Sequence, residues 1–487
     1  MKHATRVAER PATRRSCRLR MEICPFVYGR ALRPEEFIDR HEEMRRLLGR
    51  LVTGQATAVI GQPHIGKTSF LNYLLDKSSR HKIVGNKLDL SIFSYIDSQM
   101  LGQSFDQAAF WKHVLKPLTR RFAILHKQHQ NEEKPVRRIE AGSAALALKR
   151  LSDDDRDFDP TPIFKAYMTA EQNQFGTFTL EQLFTVLGQQ GWLFVLVLDE
   201  FDAILTHPVL NKTEFYGGLR SLASRCSGFT MVIASRHSLE RLNHETQAIN
   251  PHGSPYFNVF TEFRLGPLPE THANAMINVA GERFGSLDRK FITQTSGLHP
   301  YLLQTAAAIL WELHEEGTKG AERYQCAAEE LSRQSQAHFA DTWNTWTMAE
   351  RKVITIIAMS QINGMIGERQ FDWRKFAESI GDYSAELRTL KEAGVIVKTG
   401  DESWKITQEA FVWWWADKIR AITRDSVDFD QWLCSQEMDG LFTKEECKEM
   451  NEAAKKMRDS LGKGAGILIE NFAKGLASGA LKAIGMG

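Results

Sequence analysis

The chain has 487 residues and a mass of 55.4 kDa, room for about three domains at roughly 150 residues each. Apolar residues make up 43% and charged residues 25%, the balance of a soluble globular protein, and 34 Gly with 14 Pro exclude the collagen-like and disordered classes. With 62 Lys and Arg against 60 Asp and Glu the net charge is +2, so any attraction to nucleic acid or anionic lipid has to come from a local patch.

Residues 1–20 form a basic arm, in which Lys2, Arg6, Arg10, Arg14, Arg15, Arg18 and Arg20 stand against the single acid Glu9. No apolar stretch follows, as a secretory signal requires. Two readings stand: a native basic or transit-like arm, and a true start at Met21, where the patterned sequence begins. The six cysteines (Cys17, Cys24, Cys226, Cys326, Cys434 and Cys447) are scattered without a C-x-x-C pair, which fits a reducing cytoplasm. No apolar run approaches the roughly 20 residues that span a bilayer.

From residue 35 to 52 the pattern sets Phe37, Met44, Leu47, Leu48 and Leu51 at helical spacing, with Asp39 as the cap. Strands are expected at 56–60, 87–97, 192–200, 229–235 and 260–265, with helical stretches between them. Residues 21–268 therefore predict an α/β domain, a mostly parallel sheet covered by helices. The polar stretch at about 125–174, with acids from Asp153 to Asp159, reads as a surface insertion. After Pro269 the strands cease, and a helical subdomain is expected over 269–340, with Pro300 at the first position of a helix. Residues 341–422 predict a winged helix: helices at 348–360, 374–379 and 385–393, then a hairpin tipped by Gly400 and Asp401. The tail, 423–487, is helical from Thr443, where Thr443 and Glu446 have capping-box spacing.

Gly61, Gln62, Pro63, His64, Ile65, Gly66, Lys67 and Thr68 match G-x-x-x-x-G-K-[ST], and Ser69 follows. In such a loop the glycines let backbone amides converge on phosphate oxygens. Lys67 neutralises β- and γ-phosphate charge, and the Thr68 hydroxyl reaches Mg²⁺ beside a helix N-terminus. The expected strand before it and helix after it separate this reading from an ordinary Gly turn. Asp199 and Glu200 end the most apolar strand, which makes Asp199 the Mg²⁺ carboxylate and Glu200 the group that polarises the attacking water. Asp202 either supports that pair or lies on the surface. Ser235 and Arg236 end the fourth strand, and Arg236 is a candidate γ-phosphate sensor or a solvent salt bridge. Arg220 and Arg225, on the preceding helix, are candidates for an arginine finger toward a neighbouring subunit. Residues 86–89, Asn-Lys-Leu-Asp, look like the guanine-reading motif of GTPases but precede the Asp199 strand, whereas in those enzymes the motif follows it. They read as a strand start, leaving adenine as the base and ATP/ADP as the nucleotide.

Together the phosphate loop, VLVLDEFD (195–202), VIASR (232–236), LGPLPE (265–270) and above all TSGLHPYLLQ (295–304) resemble the STAND class of P-loop ATPases within the AAA+ group. The likeness is to its archaeal-ATPase-like and prokaryotic branches and covers about residues 25–421. It implies that 269–340 is a lid closing over nucleotide, with Gly297, His299 and Pro300 in the family's G-x-P motif. It also implies that the opening segment 24–48 brings Arg40 near the nucleotide. A switch follows from it: a resting form holding ADP, an activated form holding ATP and Mg²⁺, assembly into a homo-oligomer, and output through the tail or a partner effector protein, plausibly in prokaryotic defence.

The runner-up is a DNA-associated AAA+ ATPase with its winged helix on DNA. Charge disfavours nucleic acid as the partner, because residues 341–422 carry 11 Lys and Arg against 12 Asp and Glu and a groove reader needs phosphate-neutralising charge. The run Trp413, Trp414 and Trp415 is accordingly expected to pack against its neighbours. In the tail, 462–487, Ile469, Phe472, Ala473, Leu476, Ala480, Ala483 and Ile484 share one helical face. Two readings stand there, a membrane-binding segment and a helix docking on the protein's own body or a partner.

Overall fold

The computed structural model describes residues 23–37, 40–122, 160–365, 382–400, 403–424, 431–432, 442–461 and 465–478. Strands β1 (Thr57–Ile60), β2 (Ser91–Asp97), β3 (Leu193–Asp199), β4 (Phe229–Ser235) and β5 (Thr261–Arg264) form one parallel sheet in the order β2-β3-β4-β1-β5. The central strands are buried almost throughout, whereas edge strand β2 alternates, burying Ile92, Ser94 and Ile96. Period two sorts β3 onto both faces. Phe194, Leu196 and Leu198 join one core with Trp111, Phe184 and Phe229, while Val195 and Val197 join the other with Leu47, Leu51 and Phe70. Helices thus cover both faces, as a parallel sheet requires.

All five expected strands are present, with their ends trimmed. Residues 86–89 are not a strand start, because Gly85, at φ 63°, turns the chain into the 3-10 helix Gly85–Leu88 and β2 begins only at Ser91. The first helix is also shorter than its periodicity suggested. Pro34–Glu36 is a 3-10 turn, and Arg40, at φ 72°, interrupts the chain before helix His41–Val52. Asp39, the expected cap, lies outside the described residues, as do 123–159. The last part of the expected insertion is helix Thr161–Gln172, which buries Ile163 and Ala170 against the sheet's helical layer.

Beyond β5, helices Glu270–Ile277, Ser286–Ser296, Pro300–Glu315, Gly320–Gln334 and Gln336–Thr345 form the helical subdomain expected to act as the lid, hereafter the lid. Helix Met348–Met365, helix Ser384–Glu392 and the antiparallel pair β6 (Ile396–Lys398) and β7 (Trp404–Ile406) come next, then helix Glu409–Arg424. The helix expected at 374–379 and the hairpin residue Asp401 lie outside the described residues. Three consecutive residues on a helix point about 100° apart, so the tryptophan run meets three neighbours. Trp413 packs on Phe472 (ring centroids 5.4 Å), Trp414 on Phe339 (6.2 Å) and Trp415 on Trp343 (5.4 Å). All three are buried and offer no face to a base.

Two further helices close the described chain, Lys444–Leu461 and Ala465–Ala477. The capping box forms: Thr443 N donates to Glu446 Oε2 (2.8 Å) and Glu446 N to Thr443 Oγ1 (3.2 Å). Glu446 also lies 3.8 Å from the buried Lys352 ammonium, which sits over the rings of Phe442 and Tyr383. Helix Ala465–Ala477 turns its apolar face inward. Leu468, Ile469 and Leu476 are buried, Phe472 lies 6.0 Å from Phe291 of the lid, and Ala465 N donates to Asp417 Oδ1 at 2.8 Å. This face is docked on the body; Ala480, Ala483 and Ile484 lie outside the described residues. Among the described residues no helix is long and apolar enough to cross a membrane.

Candidate nucleotide site

The phosphate loop joins β1 to helix Lys67–Leu75 at the C-terminal edge of the sheet, where ligands of such sheets bind. A Cβ on Gly61 would come within 2.7 Å of Ile65 Cγ2 and 3.1 Å of the Leu265 carbonyl, so the tight turn needs glycine. Gly66, at φ 97°, is the N-cap that aims the helix at the loop. Lys67 is buried, and its ammonium donates to the carbonyls of Gly61 (2.9 Å) and Gln62 (3.2 Å). Desolvation lowers its pKa. A buried cation held by neutral carbonyls beside a helix N-terminus is electrostatically ready for an anion.

Asp199 is fixed from three sides. Thr68 Oγ1 (2.8 Å) and the Tyr95 hydroxyl (3.0 Å) donate to its Oδ2, and the Glu200 amide (2.9 Å) donates to Oδ1. A hydroxyl against a buried carboxylate is a hard-oxygen pair that suits Mg²⁺. Thr68 and Asp199 would hold that ion, which supplies neutralising charge for the phosphates when bound. Glu200 stands in the left-handed region at φ 47°. Its Oε2 accepts from Arg236 Nε at 3.2 Å and lies 3.1 Å from Nη2. Asp202 ties β3 to β4 by accepting from Ser235 Oγ (2.6 Å) and Arg236 N (2.8 Å).

Arg40 is 4% exposed, and its Nη2 donates to the carbonyls of Ile65 (3.2 Å) and Gly266 (2.9 Å). Burial pulls its pKa down to about 10, so it remains charged at neutral pH while clamping the phosphate loop to the joint before the lid. Ser69 Oγ accepts from Leu32 N at 3.0 Å, which ties in the opening segment. Between sheet edge and lid lies a cavity of about 330 Å³, apolar at Val27, Leu268, Met276 and Pro300 and charged at Lys67, Glu200 and Arg236. Its size and its mixed apolar and charged lining suit a base and its phosphate tail. At the apolar end Val27 N donates to Gln304 Oε1 at 3.2 Å.

Of the sequence-predicted site residues, Pro63, His64, Ile65, Gly66, Lys67, Thr68, Ser69, Arg40, Glu200, Arg236 and Pro300 line this cavity. Gly61 and Gln62 act through their carbonyls, and Asp199 through Thr68. His299 does not line it. It is 1% exposed behind the phosphate loop, 4.9 Å from the His338 ring, which in turn lies 5.6 Å from the ring of His64. Arg225 borders a second cavity at the opposite edge of the sheet, with Lys87, Ser91 and Leu193. That is the end away from the phosphate loop. Tyr95, Gln304, His338 and Asp341 escaped sequence reading. A hydroxyl ring in apolar β2, beside the strand carrying Asp199, was the one local signal among them.

The buried histidines make the fold acid-sensitive. Neither ring nitrogen of His299, nor Nδ1 of His338, makes a well-shaped hydrogen bond. Desolvation, then neighbouring imidazoles, holds His299 well below its ordinary pKa, and desolvation with His64 brings His338 to about 3. The unfolded chain binds protons below about pH 6.5 and the folded chain does not. Their stabilisation is therefore complete above that pH and is lost as pH falls toward the depressed values. By pH 5 the expected cost from His338 is about 2 kcal/mol, and His299 acts in the same direction. Tm measured from pH 7.5 to pH 5 should drop less steeply in His338→Phe; an equal slope would refute the assignment.

Residues 190–363 match the family model described as Novel STAND NTPase 2, and the resemblance to STAND NTPases is shown over that segment, which runs from before β3 through the lid. With the phosphate loop and the Asp199–Glu200 pair, this match supports ATPase activity. Among curated proteins none matches in sequence. Similar solved structures include a Walker-type ATPase of Pyrococcus abyssi, 13% identical, covering 80% of this chain and 98% of that one at a TM-score of 0.45. The ORC2 protein of Aeropyrum pernix is 12% identical, with 79% and 94% covered at 0.37. A STAND protein of Pyrococcus horikoshii with a tetratricopeptide repeat sensor is also 12% identical, with 93% and 58% covered at 0.30. Likenesses this slight carry no argument about ligand or partner.

Proposed function

We propose that this chain is an ATP-driven switch that assembles into a homo-oligomer when it holds ATP and signals through its tail or a partner effector protein, in the cytoplasm and in defence. The observation that carries the reading is the cavity shared between phosphate loop and lid, since a nucleotide bound there couples its phosphate contacts to the relative orientation of the two bodies. Lys67 binds the β- and γ-phosphates, and Arg236 exchanges Glu200 for the γ-phosphate. Glu200, released from Arg236, takes the proton of the attacking water. Because Glu200 begins in an ion pair, hydrolysis is slow, as a switch requires. Residues 341–422 serve as a packing and regulatory module in the manner of a winged helix.

The test is the solution molar mass by light scattering with ADP, then with a slowly hydrolysed ATP analogue, each with and without duplex DNA. The analogue should raise the mass in the absence of DNA. Assembly only on DNA would overturn the switch in favour of a DNA-associated ATPase.

A further inference from the structure

The lid brings a carboxylate to the phosphate end of the cavity. Helix Gln336–Thr345 anchors itself through Phe339 and Trp343 in the lid core, which leaves His338 and Asp341, three residues apart and on one face, toward the phosphate loop. His338 lies 5.2 Å from Tyr301 and 5.6 Å from His64, measured between ring centroids. Asp341 is exposed and borders the cavity together with His64, Lys67, Glu200 and Arg236. Of the charged groups acting on His64, Asp341 acts most strongly, ahead of Lys67, Arg236 and Glu200.

The charge balance at this end is already tight. Arg236 is engaged by Glu200, and Asp199 and Asp202 add negative charge behind them. A nucleoside diphosphate would bring its anionic tail to Lys67 and the loop amides. A triphosphate would carry one further phosphate toward Arg236, into the end where the sheet's acids face the acid on the lid. We propose that Asp341 is a specificity-determining residue, its charge making the closed lid favour nucleoside diphosphate over triphosphate, so that the γ-phosphate works against closure. The proposal rests on the nucleotide reading above. A single carboxylate at a solvent-open mouth acts through a dielectric between those of protein and water, which puts the expected discrimination at about three- to tenfold.

The experiment titrates the full chain, as wild type, Asp341→Asn and Asp341→Glu, with ADP and with a non-hydrolysable ATP analogue in Mg²⁺ buffer at about 0.05 M and 0.5 M salt. Asp341→Asn should tighten the triphosphate about three- to tenfold relative to the diphosphate at low salt. Asp341→Glu should keep the wild-type ratio, and the gap should narrow at high salt. An unchanged ratio in Asp341→Asn, or an equal shift for both nucleotides, would overturn the proposal, the latter by showing that Asp341 only shapes the lid. A wild type that binds neither nucleotide would instead overturn the nucleotide reading itself.

Discussion

Lys67→Ala should weaken both ADP and ATP, the latter by about 100-fold or more, read by titration with a fluorescent nucleotide. Charge-assisted hydrogen bonds contribute about 1.5–3 kcal/mol each, and this ammonium is the buried cation positioned for two phosphates. The same change should leave the empty protein as stable as before, or more so, because a desolvated ammonium held by two carbonyls is itself costly. Binding and folding therefore separate cleanly. Wild-type Tm should climb with ADP concentration, as a ligand of the folded state demands, and the variant's should not. Unchanged affinity in Lys67→Ala would remove the phosphate-loop assignment.

The site was legible where its chemistry is contiguous and opaque where folding assembles it. Gly61 to Ser69 declare a phosphate loop because one turn supplies amides, ammonium and hydroxyl together, and Asp199–Glu200 follow from six buried apolar residues ahead of them. The contacts that bring distant segments together carry no such mark. Val27 and Gln304 meet across 277 positions and Tyr95 and Asp199 across 104, and no periodicity encodes either contact. In the fold, β3 and β4 were readable as continuous apolar runs. The start of β2 was not, because Lys87 to Leu90 imitate alternation while the left-handed turn at Gly85 decides the path. Arg40, expected near the nucleotide, borders the cavity and also donates to two carbonyls, a bracing of the loop that residue type alone does not reveal.

The same geometry suggests which parts move together. One apolar core runs from Phe26 through the lid to Trp413 and Phe472, so lid, tryptophan helix and docked tail share a continuous interior. Gly297 seals them at φ 56°, where a Cβ would come within 2.7 Å of Gln408 and 2.8 Å of Thr407. The seam toward the sheet domain mixes polar and ring contacts: Arg241 Nη1 donates to the Thr345 carbonyl at 2.6 Å, Arg264 lies 3.7 Å from Glu392, and the His64 ring meets Tyr301 at 4.9 Å. Apolar area outweighs exposed ion pairs in holding bodies together. Opening is therefore expected along the nucleotide cavity, with lid and tail moving as one body.

Glu200→Gln is the second large effect, and it separates chemistry from binding. The amide cannot take a proton from water, and loss of a general base costs about 10²- to 10⁴-fold. Single-turnover phosphate release should fall by about that factor. Binding should survive, because a Gln carbonyl still accepts from Arg236 and the Lys67, Thr68 and Asp199 contacts are untouched. It should even tighten slightly for ATP, since one negative charge leaves the phosphate end. The variant is then expected to accumulate in the ATP-bound, assembled state in light scattering, whereas wild type returns to the lower mass as ATP is consumed. Turnover within about threefold of wild type would place the base elsewhere. Slow turnover without accumulation would uncouple hydrolysis from assembly, leaving Glu200 as the base and refuting the switch.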